Sequence, residues 1–346
     1  MGSQKTIKLG SKSIGGDSSI LVQSMLSCDT LNKDAVFYQI DALINEGCDV
    51  IRLAIENEEA IKTSKEYLNY SSVPLVADVH FDYKLAIKCS EIGFSKIRVN
   101  PGNISRDKLK NIITSCKANG TAIRLGVNGG SLEKNLIKTY GVNAKSLAIS
   151  ALENIKIFES LDFENLIVSI KSSCVKTTVM ANRLLSQSCP YPLHIGITES
   201  GFGEDGIMKS AIGIGAMLLD GIGDTIRVSL TGDPIEEVKA GKEILKALNL
   251  INYVEVVSCP TCSRCKFDLL KVAKEVKELT KGIKKKMKIA VMGCVVNGPG
   301  EAMDADLGVA GGGDGMAVIF KKGRIIKTVA FDKIIETLNE ELFRKI

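Results

Sequence analysis

The sequence has 346 residues, of which 45% are apolar and 25% charged, and a formal net charge of +5. That length suits a barrel-sized domain with an appendage, and that composition suits a globular protein. No apolar run approaches the roughly 18 residues of a membrane span. The charge is too mild for a nucleic-acid binder, and the start, MGSQKTIKLGSKSIGG, has no apolar export core, so a cytoplasmic protein with no nucleic-acid or membrane partner is expected.

Eight β-rich segments follow one another: ILVQSM (20–25), VIRLAI (50–55), PLVADVH (74–80), KIRVN (96–100), AIRLGVN (122–128), LIVSIK (166–171), PLHIGIT (192–198) and TIRVSL (225–230). Helix-like stretches such as DAVFYQIDALINEG and GIMKSAIGIGAMLLD separate them. Eight β/α units predict a closed parallel (β/α)8 TIM barrel, with an open doubly wound sheet as the alternative. Asp233 as N-cap, Pro234 at the first position and Glu236 in a capping pattern start a last helix that should reach about Leu250. The chain then changes character. We expect a substrate-binding barrel over 1–252 and a small α+β cluster-binding domain over 253–346.

Four strands carry an arginine between aliphatic neighbours: Arg52, Arg98, Arg124 and Arg227. Alternation puts the neighbours toward the helices and the arginines in the lumen. Lys171 ends another strand, and Asp78 and Glu199 are too few to balance the five cations. A phosphate or diphosphate ligand at the C-terminal mouth is therefore expected, with salt-bridged barrel plugs as the competing reading. Ser24, His80, Asn100, Asn128, Ser131, Thr198 and Ser229 share that rim as donors for hydroxyl groups, although His80 reads equally as a core histidine. Glu199, in ITESGFG, is the acid best placed for proton transfer. GFGEDG (201–206) follows the seventh strand, not the first, so it reads as a phosphate loop or an ordinary turn, not a dinucleotide fingerprint.

The tail begins with VVSCPTCSRC, carrying Cys259, Cys262 and Cys265, and continues with a helix over 267–281, a strand at MKIAVMG, Cys294 in GCVVNGPGEA and a closing helix from about Asp332. The remaining six cysteines read as packing residues, and KGIKKKMK (281–288) as a solvated helix end. The only histidines are His80 and His194, so a Cys₃His zinc site is poor and a Cys₄ site stays possible. C-x₂-C-x₂-C with a remote cysteine is also the spacing of a four-thiolate iron–sulfur site. Glu301, seven residues after Cys294, could replace one thiolate and open an iron to substrate, and spacing does not choose between Cys265 and Glu301. A helix over 234–250 runs back about 25 Å from the catalytic face. The residues 251–258 that follow reach about 25 Å at most. The cluster is therefore expected to serve another subunit's barrel, in a head-to-tail homodimer.

PLVADVHFDYKLA, IRVNPGNI, GITESGFGEDG, GIGDTIRVSLTGDPIEEV, CPTC and GCVVNGPGEA together resemble the 4-hydroxy-3-methylbut-2-enyl diphosphate synthase family, the iron–sulfur enzymes of the methylerythritol phosphate route to isoprenoids, in their two-domain bacterial form. The resemblance runs from about residue 5 to the end of the chain. It implies a barrel that binds 2-C-methyl-D-erythritol 2,4-cyclodiphosphate and a [4Fe-4S] cluster domain acting in trans, with flavodoxin or ferredoxin as electron donor. It implies cluster ligands at Cys259, Cys262, Cys294 and Glu301, and diphosphate cations at Arg52, Arg98, Arg124, Lys171 and Arg227 with Ser229. Asp78, Asn100, Asn128 and Thr198 fall on hydroxyl and diphosphate contacts, and Glu199 on the acid that assists proton transfer. The implied chemistry is a two-electron ring opening with loss of water.

The loop SMLSCDT departs from the family's threonine- and asparagine-rich sequence, VNGG replaces its commoner serine- or alanine-containing loop, and Cys265 is not a family ligand position. The competing functions are an aldolase- or dihydropteroate-synthase-like barrel with a structural zinc tail, and a non-enzymatic electron-transfer module using all four cysteines.

Overall fold

The computed structural model describes residues 3–80, 82–100 and 104–344, without the side chains of Asn297, Pro299 and Glu301. The chain divides into two compact units, Met1–Leu250 and Ile251–Ile346.

The first unit holds eight parallel strands: β1 Leu21–Met25, β2 Val50–Ala54, β3 Leu75–Asp78, β4 Lys96–Val99, β5 Ala122–Asn128, β6 Leu166–Lys171, β7 His194–Ile195 and β8 Thr225–Ile226. Their order is β6-β5-β4-β3-β2-β1-β8-β7, and a parallel bridge from Val168 to Leu193 joins the two ends into a barrel. Helices alternate with the strands: α1 Lys33–Asn45, α2 Glu58–Tyr70, α3 Tyr83–Glu91, α4 Arg106–Asn119, α5 Lys134–Tyr140, α6 Ala144–Glu159, α7 Val175–Ser186, α8 Gly203–Leu219 and α9 Pro234–Ala247. Outward residues such as Ile51, Leu53, Ile97, Val99, Ile123 and Leu125 are fully buried against them. Several helices start on a side-chain cap, as where Asn57 accepts from Ala60 N and Asp233 from Ile235 N.

A hairpin absent from the sequence expectation, Ile7–Leu9 with Lys12–Ile14, precedes the barrel. Its Ile7, Leu9 and Ile14 pack on Leu21, Val50, Val76, Ala122 and Ile167, which lie at or near the starts of barrel strands. The N-terminal end of the lumen is thus sealed by apolar side chains, leaving the C-terminal end for a ligand.

The last two strands are much shorter than the expected 192–198 and 225–230. Past Ile226, Arg227 N still donates to Ile195 O, but a Cβ on Gly196 would stand 2.3 Å from the Arg227 carbonyl oxygen. That close approach is why residue 196 is glycine, and no ladder pair follows it among the described residues. Helix α9 also stops short of Leu250. Asn249, at φ 56°, forms the left-handed residue of a Schellman end, with Asn249 N donating to Lys246 O and Leu250 N to Leu245 O.

The second unit is a five-stranded sheet in sequential order: β9 Val254–Ser258, β10 Met287–Met292, β11 Leu307–Gly311, β12 Met316–Lys321 and β13 Arg324–Ala330. The first three strands are parallel and the last two antiparallel to their neighbours. α10 Leu269–Leu279 and α11 Ile334–Phe343 contribute Leu269, Val272, Val276, Ile334, Leu338 and Leu342 to an apolar core with Ile289, Val291, Val309 and Ile319. A second cluster packs small residues, Ala290, Ala302, Ala305 and Ala310, around Phe320. A π-helical turn over Val296–Glu301 rests there, and Gly298 makes that possible, because a Cβ on it would stand 2.4 Å from the Ala310 Cβ.

Candidate active site

The interior of the barrel is positive. Arg52, Lys96, Arg98, Arg124, Lys171 and Arg227 lie within electrostatic reach of one another. Register explains part of this: Arg98 pairs with Arg124 across β4 and β5, and Lys96 shares the Arg98 face two residues earlier. Two buried carboxylates answer the six cations. Asp78 receives Arg52, Arg98 Nη1 at 3.3 Å and His80 Nε2 at 3.1 Å. Burial pushes the Asp78 carboxyl up, yet the charges of Arg52 and Arg98 outweigh it and hold the group well below the usual carboxylate range. Glu237, on α9, accepts from Arg227 Nε and Nη2 at 3.3 Å each, from Ser24 Oγ at 2.8 Å and from Leu230 N at 3.1 Å.

Among the described residues, Lys96, Arg124 and Lys171 have no ion-pair partner. Lys96 instead donates to Gln23 Oε1 at 2.9 Å, and Lys171 Nζ lies 3.3 Å from His194 Nε2. The Nε atoms of Arg52, Arg98 and Arg124 are buried without a hydrogen-bond partner. Burial and then the neighbouring cations oppose the charge on Lys96, Arg124 and Lys171, pushing each well below its ordinary pKa; Arg52, eased by Asp78, is lowered to about 10. An interior with surplus cations and unused N–H donors suits an anion.

The neutral rim residues fall near the strand ends. Asn100, Asn128, Thr198 and Ser229 are half-buried at or just past the ends of β4, β5, β7 and β8. Ser131 binds back to Asn128, exchanging hydrogen bonds with its N–H and C=O at 3.1 and 3.0 Å. Glu199 is exposed and held at φ 53°, a left-handed conformation that a non-glycine residue adopts at a cost. Lys209 Nζ donates to its carbonyl at 3.3 Å.

In the second unit, the cysteines of the loop after β9 meet the turn after β10. Gly293 N donates to Cys259 Sγ at 3.3 Å, and Lys266 N donates to Gly293 O at 3.0 Å, which ties the two loops together beside Cys294. Cys262 is exposed, whereas Cys265 packs on the apolar core and donates from Sγ to Phe267 O at 3.1 Å. None of the ten cysteines is in a disulfide. The Glu301 side chain lies outside the described residues, and among the described residues no three His, Cys, Asp or Glu groups stand together as a metal site. Three thiols in two linked loops, with a backbone N–H directed at one sulfur, nonetheless suit thiolate ligation of a cluster, because such N–H groups stabilise sulfur charge.

Residues 4–242 match the GcpE TIM-barrel domain, and residues 255–344 match the GcpE protein C-terminal domain. The chain belongs to the GcpE family. A GcpE relative from Caldanaerobacter subterraneus subsp. tengcongensis, named 4-hydroxy-3-methylbut-2-en-1-yl diphosphate synthase (flavodoxin), is 51% identical over 345 residues, covering 99% of this chain and 97% of that one. Another of that name, from Ruminiclostridium cellulolyticum, is 48% identical, covering 98% and 96%. Among solved structures, Yersinia pestis dihydropteroate synthase matches with a TM-score of 0.52 at 11% identity, covering 71% of this chain and 100% of that one, a likeness of barrel fold alone. The family resemblance read from the sequence motifs is thus borne out, as is the barrel followed by a smaller domain. No described helix is long and apolar enough to cross a membrane.

Within this GcpE chain several expectations change. Asp78 and Glu199 were the acids counted against the cations and found too few; the second buried carboxylate is instead Glu237, and Glu199 faces solvent. Ser24 is buried on Glu237, not at the rim. His80 is half-exposed on Asp78 and Arg98, so it is not a core histidine. The plug reading holds in part, since Arg52, Arg98 and Arg227 do form ion pairs. Sequence reasoning missed Lys96, Gln23, His194 and Glu237. For Lys96 the signal was present in its i, i+2 relation to Arg98.

Proposed function

We propose that the chain catalyses the reductive ring opening and dehydration of 2-C-methyl-D-erythritol 2,4-cyclodiphosphate to 4-hydroxy-3-methylbut-2-enyl diphosphate in isoprenoid precursor synthesis, as a cytoplasmic iron–sulfur oxidoreductase fed by flavodoxin or ferredoxin. The observation that carries this reading is the excess of buried cations with unpartnered N–H donors in a barrel whose N-terminal end is packed with apolar side chains. The names of the relatives supply the reaction.

Cys259, Cys262 and Cys294, with Glu301 as the fourth and replaceable ligand, would hold a [4Fe-4S] cluster. When bound, the cluster supplies two electrons in succession and a Lewis-acidic iron. Support comes from the Gly293 N–H at Cys259; the Cys265 thiol donates to Phe267 O and also lies against Gly293, so the choice of Glu301 over Cys265 rests on the family resemblance. Arg52, Arg98, Arg124, Lys171 and Arg227, with Ser229, bind the diphosphate and keep hold of the arm freed when the ring C–O bond breaks. Asp78 orients Arg52 and Arg98, and Asn100, Asn128 and Thr198 contact hydroxyl and diphosphate oxygens. Glu199 handles the proton that leaves with the hydroxyl as water. Two electrons and two protons enter, and one water leaves. The short segment between α9 and β9 supports the head-to-tail homodimer, in which the cluster unit of one subunit serves the barrel of the other.

Anaerobic purification with iron and sulfide analysis, followed by cyclodiphosphate turnover with a chemical reductant, tests this. The expected result is a brown protein whose activity follows its iron content. A colourless, fully active protein would overturn the assignment.

A further inference from the structure

Lys171 ends β6 with its ammonium in a slot made by two other strands. His194 Nε2, from β7, lies 3.3 Å from Lys171 Nζ, and His194 Nδ1 lies 2.7 Å from Thr225 Oγ1, from β8. Register puts His194 opposite Thr225, so three consecutive strands contribute one side chain each to a single chain of hydrogen bonds. Gly196 borders the slot: a Cβ there would stand 3.0 Å from Lys171 Nζ, and 2.3 Å from the Arg227 carbonyl oxygen, the contact that requires glycine. His194 and Thr225 are both fully buried.

With Lys171 as the ammonium that meets a phosphate, His194 Nε2 is the acceptor and the ring proton sits on Nδ1, facing the Thr225 hydroxyl. Burial, then Lys171 and the other cations, push the His194 pKa well below its ordinary value, which keeps the ring neutral and its lone pair available. No carboxylate pairs with Lys171 among the described residues, so the imidazole is the fixed group that aims this cation.

We infer that His194 is a positioning residue for the diphosphate: through its Nε2 lone pair it holds Lys171 directed at a substrate phosphate, with Thr225 setting the ring. This rests on the cyclodiphosphate reading of the barrel.

Two near-isosteres separate aim from packing. In His194→Gln the amide oxygen can take the place of Nε2 and keep Lys171. In His194→Asn the amide reaches only the place of Nδ1, keeping Thr225 and losing Lys171. Holoenzyme of each, of Lys171→Ala and of the double variant H194N/K171A, is assayed for steady-state constants and for calorimetric Kd with the cyclodiphosphate. H194N is expected to raise KM and Kd about tenfold with kcat little changed, the pattern of lost uniform binding. H194Q should stay within about threefold of the parent, and the double variant should bind no worse than K171A alone, because both changes remove one interaction. If H194N does not fold, Thr225→Val, which releases the ring, carries the same test with an expected rise of at least about fivefold. An unchanged KM in H194N, equal damage in H194Q, or additive penalties in the double variant overturns the inference while parent turnover stands. A parent protein that neither binds nor converts the cyclodiphosphate overturns the substrate reading and this inference with it.

Discussion

Replacing Arg124 with methionine should stabilise the substrate-free protein and weaken the substrate complex, an unusual pairing for a buried residue. Arg124 is 5% exposed, and no carboxylate among the described residues pairs with it. An added Cβ on Gly126 would lie 3.7 Å from Arg98 Nε and 4.0 Å from Arg124 Nη2. The two guanidinium groups are therefore within about 8 Å, where like charges repel by about 2 kcal/mol at an effective dielectric of roughly 20. Methionine keeps most of the apolar stem, so lost packing should return about 1 kcal/mol of that. The net gain of about 1 kcal/mol corresponds to a rise of about 1–2 °C in Tm for a chain of this size. Loss of a charge-assisted hydrogen bond to phosphate costs about 1.5–3 kcal/mol, or roughly 10- to 150-fold in Kd. Thermal unfolding without ligand, and calorimetry with the cyclodiphosphate, read the two effects separately. Arg52→Met is the control, because it strips Asp78 of a buried partner and should lower Tm. If R124M loses as much Tm as R52M and binds substrate normally, Arg124 is a structural plug and the reasoning fails.

Glu237→Gln should cost about 3 kcal/mol of stability and raise KM, since it leaves Arg227 buried without its carboxylate; urea unfolding and steady-state kinetics check both. Glu341 tests the pH side. Hydrogen bonding from Lys321 at 2.5 Å holds its carboxyl at about 2, with Lys327 and Arg344 also in contact. A depressed carboxylate pKa stabilises fully above the unfolded value of about 4.5 and loses that contribution as pH falls toward 2. Glu341→Gln should thus be less stable than the parent at pH 7, and the gap in urea midpoint should close through the range below about 4.5. Cys265→Ala should retain iron, sulfide and turnover, whereas Glu301→Ala should retain much of the iron and lose turnover. The opposite pattern in metal analysis and activity would favour four-thiolate ligation.

The barrel was legible because strand parity is a strict rule: an arginine flanked by buried aliphatics has one face left to occupy. The same rule would have placed Lys96 in the lumen, but a lysine at a strand's first residue looks like a solvated end. Glu237 was harder to see. It follows Glu236 directly in GDPIEEV, and on a helix adjacent residues point about 100° apart. Glu236 turns outward to Lys239, while Glu237 turns inward to Arg227. Only the docking of α9 on the barrel decides which is which. The shortness of β7 and β8 was hidden for a similar reason. PLHIGIT and TIRVSL have strand-like composition throughout, and nothing local in them marks Ile195 and Ile226 as the last paired residues. The N-terminal hairpin was too short to show periodicity.

The surplus of cations over carboxylates in the lumen bears on how the reaction finishes. Each phosphate of the cyclic substrate carries one ionisable oxygen. Opening the ring leaves a terminal phosphate with a second acidic group, whose pKa near 6 puts most of its extra negative charge in place at neutral pH. A cradle with unspent positive charge therefore grips what it makes more firmly than what it takes in. The expected signature is product inhibition, with the open diphosphate competing at a Ki below the Kd of the cyclic substrate.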